Sequence, residues 1–214
     1  MAGKTDVRRG AGGRPPADRA GDVEARLLAA ATRLFLERGY DGTSCDQVAL
    51  DAGAGKASIY ARYANKHALF CAVIDNMLER PPVDAESPPE TRLRERLALV
   101  GMRVLTDALR PDALALLRLV VSELPRFSNA DTRPARLLWQ AGAQRVAQTI
   151  ALRAPDTIER AVAPAEQFIE MVLMAPLMRA LLGEPLAPLI EAAPGRIEAA
   201  IATLAASGAL EDWQ

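Results

Sequence analysis

The chain of 214 residues is half hydrophobic and one quarter charged, which predicts a folded protein with a substantial core and excludes a disordered or fibrous chain. Two cysteines and one histidine leave almost no residues for a zinc finger, a disulfide scaffold or cysteine–histidine catalysis. The formal net charge of −1 is unevenly spread, because residues 1–80 hold 12 Lys and Arg against 10 Asp and Glu, whereas residues 81–214 hold 14 against 17. We therefore expect a cationic surface near the N-terminal end.

Residues 1–20 are rich in Gly, Pro and Arg and lack an apolar period, which predicts a flexible arm. Arg8, Arg9 and Arg14 lie in its sequence RRGAGGRPP. Short arginine arms of this composition lie in the minor groove of A·T-rich DNA. A solvated tail is an equally good interpretation of the same residues.

The next segment predicts two helices. A helical apolar period begins near Asp22 and ends at Gly39, and one face carries the apolar residues Leu27, Ala31, Leu34 and Phe35. Ser44 and Gln47 then form a Ser-x-x-Gln capping box, which indicates that a second, shorter helix begins there.

The segment 44–63 predicts a helix, a tight turn and another helix, the arrangement of a helix-turn-helix. Gly53 suits the turn, because a residue without Cβ reaches left-handed backbone conformations without a steric penalty. Ile59 and Tyr63 are four residues apart and can form the inner face of the last helix. Donors to phosphate oxygens are expected on its outer side, from Lys56, Tyr60, Arg62 and Lys66.

Longer helices follow a linker. Asn65 can cap a fourth short helix, which completes a head over residues 21–80, and four prolines mark 81–89 as the linker. The helices expected beyond it cover 91–109, 112–124, 134–152, 164–182 and 190–206. No strand-like alternation occurs, so the predicted fold class is all-α, with a C-terminal helical bundle within residues 81–214. Pro176 should kink its helix, unless that helix ends earlier.

Three stretches of the head carry a family resemblance: LFLERGYDGTS after the first helix, AGAGKASIY at the last helix of the helix-turn-helix, and NKHALF at the start of the fourth helix. Over residues 25–74 the chain resembles the DNA-binding head of the TetR family of bacterial regulators. Beyond residue 80 the likeness is weaker, although LRLVVSELPRF and AEQFIEMVLMAPLMRALLGE are similar to one large branch of that family.

The resemblance implies a C-terminal domain that dimerises and holds a ligand cavity. It also implies a set of DNA-binding positions, which are Ser44, Cys45, Gly55, Lys56, Ala57, Ser58, Tyr60, Ala61, Arg62 and Lys66. Lys56, Ala57 and Ser58 match positions that enter the major groove, with Ala57 placed to contact a thymine methyl. Tyr60 and Lys66 match side chains that bind phosphate.

The chain departs from the family pattern at four positions of the head. Cys45 stands where Thr is frequent, Gly55 replaces a Ser cap, Ala61 lacks a long side chain, and His67 replaces an acid. Ser44 and Cys45 still begin a helix whose N–H groups would point at a phosphate. We expect these departures to affect the DNA sequence that is preferred rather than the way the head docks.

Several of these residues also have a simpler interpretation. Tyr60 could be merely a packed aromatic residue, and Lys56 and Lys66 could be ordinary solvated lysines, although the motif favours DNA contact. Cys45 and Cys71 are expected as small core residues rather than redox switches. His67 is expected as a surface helix residue rather than a pH sensor.

The effector site is predicted from composition alone. Few aromatic residues lie beyond residue 80, which favours a cavity lined by Leu, Val, Ala and Met and an apolar ligand. The candidate lining residues are Met102, Trp139, Phe168, Met171 and Met174. Packing in the core or in a dimer interface is the alternative, and it is the favoured one for the methionines.

These observations predict a homodimeric repressor that binds a palindromic operator in double-stranded DNA and is released by a small apolar effector. The helices 164–182 and 190–206 are expected to pair across the twofold axis. No cluster of acid, base or nucleophile groups is evident, so we expect no enzyme, metal or cofactor, and no apolar segment indicates a membrane partner or export from the cytoplasm. The alternatives are a DNA-binding protein without an inducer, and a helical enzyme or adaptor whose head merely resembles a regulator.

Overall fold

The computed structural model describes residues 17–78, 92–123, 133–152 and 154–213, with side chains from residue 21 in the first range and from residue 140 in the third. Throughout these ranges all regular secondary structure is helical, which confirms the predicted fold class. The predicted arm with Arg8, Arg9 and Arg14, and the predicted linker 81–89, lie outside the described residues.

The head contains the four predicted helices. They are α1 (Ala17–Arg38), α2 (Cys45–Asp51), α3 (Lys56–Tyr60) and α4 (Lys66–Leu78). Gly39, with a φ of +73°, ends α1 as expected, because left-handed backbone stops a helix without strain only at glycine. Helix α3 is shorter than predicted, since it ends at Tyr60 and Ala61 is its C-cap, although Tyr63 still packs inward beyond it.

The C-terminal bundle differs from the prediction in two places. Its helices are α5 (Leu93–Ala108), α6 (Pro111–Glu123), α7 (Arg133–Ala151), α8 (Ile158–Leu181), α9 (Leu186–Glu191) and α10 (Ala193–Ala206). Helix α8 begins six residues before Pro164 and continues through Pro176, so an earlier end is wrong. The predicted helix 190–206 is divided at Ala192, and Pro194 lies in the first turn of α10, where its missing N–H has no intrahelical acceptor in any case.

Two hydrophobic cores hold the chain together. The head core contains buried side chains of α1 to α4, among them Phe35 and Phe70, whose rings meet edge to face with centroids 5.1 Å apart. The bundle core is formed by α5, α7, α8 and α10 around Phe168. Two residues of α6, Leu116 and Val120, are buried in the head core, so the hydrophobic core of the head extends past the predicted domain boundary at residue 80.

Helix α8, with 24 residues, is the longest helix among the described residues. Pro155–Leu181 is the one helical segment of the described ranges that is long and apolar enough to cross a membrane by length and composition, whereas the sequence was expected to contain no such segment. Its buried face, including Phe168 and Val172, packs into the bundle core, as expected for the central helix of a helical bundle.

Candidate nucleic-acid interface

Helix α2 is held by a capping box. The Gln47 backbone N–H donates to Ser44 Oγ at 3.2 Å, and the Ser44 backbone N–H donates to Gln47 Oε1 at 3.0 Å, so two otherwise unpaired donors are satisfied. Cys45 and Val48 are buried in the head core, which fixes α2 as the bracing helix. Because the side chain of Cys45 points inward, only its backbone N–H remains for the predicted phosphate contact.

A glycine turn leads from α2 into α3. Gly53 has a φ of +60°, which confirms the predicted role of a residue without Cβ. The Ala54 N–H donates to Ala49 O at 2.8 Å, and Arg26 of α1 donates from Nη1 to Ala52 O at 3.1 Å. The end of α2 is therefore tied to α1, and the direction of α3 is set by backbone contacts.

Helix α3 presents one face to the core and the other to solvent. Ile59 and Tyr63 are buried as predicted, and Gly55 caps the helix with extended backbone but no side chain. The exposed residues of this short segment are Lys56, Ala57, Tyr60 and Ala61, and Ser58 is half-buried. Half of the Tyr60 side chain, 51%, is accessible. The structure thus brings the predicted groove-entering residues onto one outward surface.

Asp46 joins two of the predicted DNA-binding side chains, a role that its sequence position did not indicate. Its Oδ2 lies 2.6 Å from Lys56 Nζ, and its Oδ1 accepts a 3.4 Å hydrogen bond from Tyr60 OH. The hydrogen bond from Lys56 lowers the pKa of Asp46, and the same bond raises the pKa of Lys56. The negative charge of Asp46 raises the pKa of Tyr60. Ten residues separate Asp46 from Lys56 in sequence, so only the folded turn shows that they meet.

Lys66 and Arg62 make contacts within the head as well as lying near its surface. Lys66 donates from Nζ to Tyr40 O at 2.8 Å and lies 4.3 Å from the centre of the Tyr40 ring. Arg62 donates from Nη1 to Ser58 O at 3.0 Å, and both cations are half-buried. The contacts of Lys66 with Tyr40 join the start of α4 to the loop before α2, so Lys66 has a structural contribution that the sequence did not indicate. A phosphate contact by either residue stays a prediction.

The two cysteines lie in the interior, in agreement with their interpretation as small core residues. Burial raises the pKa of the Cys45 thiol, which disfavours the thiolate that a redox switch requires. His67 is half-buried rather than exposed, and its Nε2 lies 3.5 Å from Cys71 Sγ one helical turn along α4. Among the described residues, no group of three or more His, Cys, Asp or Glu is arranged to hold a metal ion.

The residues predicted to line an effector cavity lie in different surroundings. Phe168 is fully buried against Gly101, and Met102 and Met171 pack on the bundle core. Met174 is exposed, and the side chain of Trp139 lies outside the described residues. The linings of three cavities among the described side chains do not include Phe168, Met102, Met171 or Met174, and an effector site at the five predicted positions stays a prediction.

The largest of those cavities has a volume of about 680 Å³ and lies at the end of the bundle. The start of α5, the end of α7, helix α10 and the last residues of the chain form its walls. Its apolar lining is Leu93, Ile150, Ala154, Ile201, Ala205, Leu210 and Trp213. Its charged lining is Arg92, Arg94, Arg96 and Asp212, three cations against one acid. Arg96 is buried and donates a 3.4 Å hydrogen bond from Nη2 to Thr149 O.

A row of exposed apolar side chains follows the last turns of α8. Met174, Met178 and Leu182 are four residues apart, and all three are exposed. A helical residue four positions along lies on the same face, so the three form one stripe. Contiguous apolar surface of this kind is typical of a protein–protein contact.

A braced helix, a glycine turn and a short exposed helix with a cationic outer surface define a helix-turn-helix DNA-binding protein. Two family profiles match the chain: the bacterial regulatory proteins of the tetR family over residues 27–73, and the C-terminal domain of AefR-like transcriptional repressors over residues 95–207. The chain belongs to the TetR family of bacterial transcriptional regulators.

Individual proteins agree with this assignment. The chain is 28% identical over 150 residues to the HTH-type transcriptional repressor SCO4008 of Streptomyces coelicolor, which is 67% of this chain and 76% of that protein. The flavonoid-responsive regulator FrrA is 26% identical with a TM-score of 0.58, over 89% of this chain and 97% of that one.

A TetR-family regulator from Mesorhizobium loti has the same fold, with a TM-score of 0.62, 22% identity and coverage of 86% of this chain and 98% of that one. The first curated relatives, regulators of Mycobacterium, are 38% identical over 79 residues, and the chain spans 37% of their length in that match. Sequence similarity is therefore concentrated in part of the chain, whereas the fold extends over nearly all of it.

Proposed function

We propose that this protein is a homodimeric repressor that acts in the cytoplasm, binds a palindromic operator through two copies of α3, and is released by a small effector. The exposed outer face of α3, with Lys56 and Tyr60 on one side of a buried Ile59, is the observation that carries the proposal. A short helix that projects from a braced head can enter the major groove, while flanking donors contact phosphates.

DNA binding is tested with the Tyr60→Phe variant, which removes only the phenolic hydroxyl. Loss of one phosphate hydrogen bond per head should weaken binding to operator DNA by about 0.5–1.5 kcal/mol per head. Fluorescence anisotropy with labelled DNA from upstream of the gene, measured over a salt series, gives the affinity and its salt slope. Tyr63→Phe is the matched control, because its hydroxyl lies on the inner side, 3.5 Å from Glu24 Oε1. Equal effects of the two variants would contradict the assigned orientation of α3.

Dimerisation is proposed to use the exposed stripe of α8. Two heads must lie about 34–36 Å apart to reach successive major grooves on one side of the duplex, and a twofold contact between bundles can set that spacing. The Met178→Glu variant places a charge in the stripe and should convert the dimer to a monomer in analytical ultracentrifugation. Leu99→Glu, at an equally exposed leucine of α5, is the control and should leave the dimer intact. A monomeric wild-type protein would overturn this part of the proposal.

The effector is proposed to occupy the large cavity at the end of the bundle. Its volume of about 680 Å³ is of the size that small-molecule sites have. Apolar walls suit the predicted apolar ligand, and the guanidinium groups of Arg92 and Arg96 in the lining can donate to an acidic group at one end of it.

Octanoate, octanol and octylamine form a matched set of probes for this site. Octanoate should dissociate the protein–DNA complex at the lowest concentration, because only the carboxylate complements the arginines. The Ala205→Phe variant fills the cavity from an exposed wall position and should abolish that response without loss of DNA binding. If Ala205→Phe responds like the wild type, the effector site lies elsewhere.

A further inference from the structure

We propose that Asp46 is a specificity-determining residue of the head. On DNA of arbitrary sequence it keeps Lys56 and Tyr60 from contacting phosphates. On DNA that offers the carboxylate a hydrogen-bond donor, it releases both side chains. This inference rests on the proposed DNA-binding function. The sequence and the family resemblance assigned no role to Asp46.

The geometry shows a carboxylate whose two oxygens are both engaged by predicted DNA-binding groups. Lys56 Nζ lies 2.6 Å from Oδ2, and Tyr60 OH lies 3.4 Å from Oδ1. The pair lies at the surface, since the side chains of Lys56 and Asp46 are 70% and 43% exposed. An exposed ion pair exchanges partners without unfolding of the surrounding helices, so the three residues can separate when the head meets DNA.

Charge explains why this arrangement disfavours non-specific DNA. Non-specific binding comes almost entirely from cations that neutralise phosphates. A lysine that is neutralised by Asp46 contributes little to that attraction, and the carboxylate itself repels a phosphate close to it. The outer face of α3 therefore attracts an arbitrary duplex less than its lysine and tyrosine alone would.

A suitable base edge removes this penalty. The exocyclic amino group of cytosine projects into the major groove and donates to carboxylates. If Asp46 accepts from such a donor, it leaves Lys56 and Tyr60, which then become available to the flanking phosphates. The carboxylate thus lowers affinity for most sequences and preserves it at an operator with a cytosine in reach.

The Asp46→Asn variant tests this inference against a matched control. Asp51→Asn makes the same change of charge in the same helix, but Asp51 pairs with Arg33 of α1 and not with the surface of α3. Full-length wild type and both variants are used to select duplexes from a random pool, and each is then titrated with its selected duplex and with a duplex of random sequence.

We expect Asp46→Asn to bind the random duplex about threefold more tightly per head, with a salt slope steeper by about 0.9 per head. Its selected sequences should lose a cytosine that the wild type enriches, and Asp51→Asn should retain it. Equal affinities and equal selected sequences for the two variants would overturn the inference. If the wild type selects no sequence and binds no duplex, the proposed function fails instead, and the two failures are thereby distinguished.

A measurement without DNA checks the ion pair itself. NMR titration of the Asp46 carboxyl in the wild type and in Lys56→Ala compares the two pKa values. Because Lys56 holds the pKa of Asp46 below its ordinary value, removal of the lysine should raise it. An unchanged pKa would show that Lys56 does not engage Asp46 in solution, and the inference would fail.

Discussion

The helices of the head and the helices of the bundle are held in position by different kinds of interaction. In the head, helices as short as the five residues of α3 are positioned by a capping box, a left-handed glycine and a few backbone hydrogen bonds. In the bundle, helices of up to 24 residues are held by a shared apolar core. Local signals set a surface in the head, whereas only the packing of distant segments forms the cavity of the bundle. A function that depends on a local motif can therefore be inferred from sequence earlier than one that depends on a cavity.

The two regions are nevertheless joined through α6. Leu116 and Val120 of that helix are buried in the head core, while Leu114 of the same helix is buried in the bundle core. A helix that contributes to both cores cannot move without a change in the packing of each. The packing of the bundle is thereby coupled to the packing of the head through α6.

The largest predicted effect tests this junction. Leu116→Ala removes a fully buried side chain from the head core and should lower the free energy of unfolding by about 2–5 kcal/mol. Urea denaturation gives the free energy, and hydrogen exchange shows which amides lose protection. Leu105→Ala, an equally buried leucine of the bundle core alone, is the control. Amides of α1 and α4 should lose more protection in Leu116→Ala, and equal protection in both variants would mean that α6 does not stabilise the head.

A medium effect tests how closely the bundle is packed. A Cβ added at Gly101 would lie 2.9 Å from Cζ of Phe168, so Gly101→Ala should destabilise the protein by about 1–3 kcal/mol through overpacking. At Gly195 in α10 a Cβ meets no atom within 4 Å. Gly195→Ala should therefore stabilise the protein by about 0.5–1 kcal/mol, because alanine loses less backbone entropy in a helix. Thermal denaturation of both variants gives the sign of each stability change. A stabilising Gly101→Ala would show that the contact with Phe168 can relax.

The smallest effects test the caps of the helix-turn-helix. Ser44→Ala removes the capping box of α2 and should cost about 1 kcal/mol of stability. Gly55 caps α3 with no side-chain hydrogen bond, so Gly55→Ser should stabilise the head by a few tenths of a kcal/mol at most. Differential scanning calorimetry measures both changes. A neutral Ser44→Ala variant would mean that α1 alone positions α2.

Much of the head could be predicted because its signals are local. The capping box at Ser44, the turn at Gly53 and the inward positions of Ile59 and Tyr63 all follow from residues within one or two turns of each other. The contacts of Asp46 with Lys56 and of Lys66 with Tyr40 could not be predicted, since each joins residues that only the fold brings together. For the same reason the sequence indicated Lys56 and Tyr60 but not the acid that joins them.

In the bundle, the helices could be predicted from the sequence but the candidate site could not. Helical periodicity placed its helices, yet it did not distinguish a core phenylalanine from a cavity wall, because both sit on the apolar face of a helix. Phe168 lies at the centre of the bundle core, whereas the cavity of about 680 Å³ is formed by segments far apart in the sequence, from Arg92 to Trp213.

The amino-acid sequence alone determined the all-helical class, the helix-turn-helix and the family, because these depend on short-range periodicity, caps and a contiguous motif. Tertiary structure alone decided which side chains of that motif are engaged, where the cavity lies and how α6 links head to bundle. Those features depend on contacts between residues far apart in the chain, and their geometry exists only once the cores have formed.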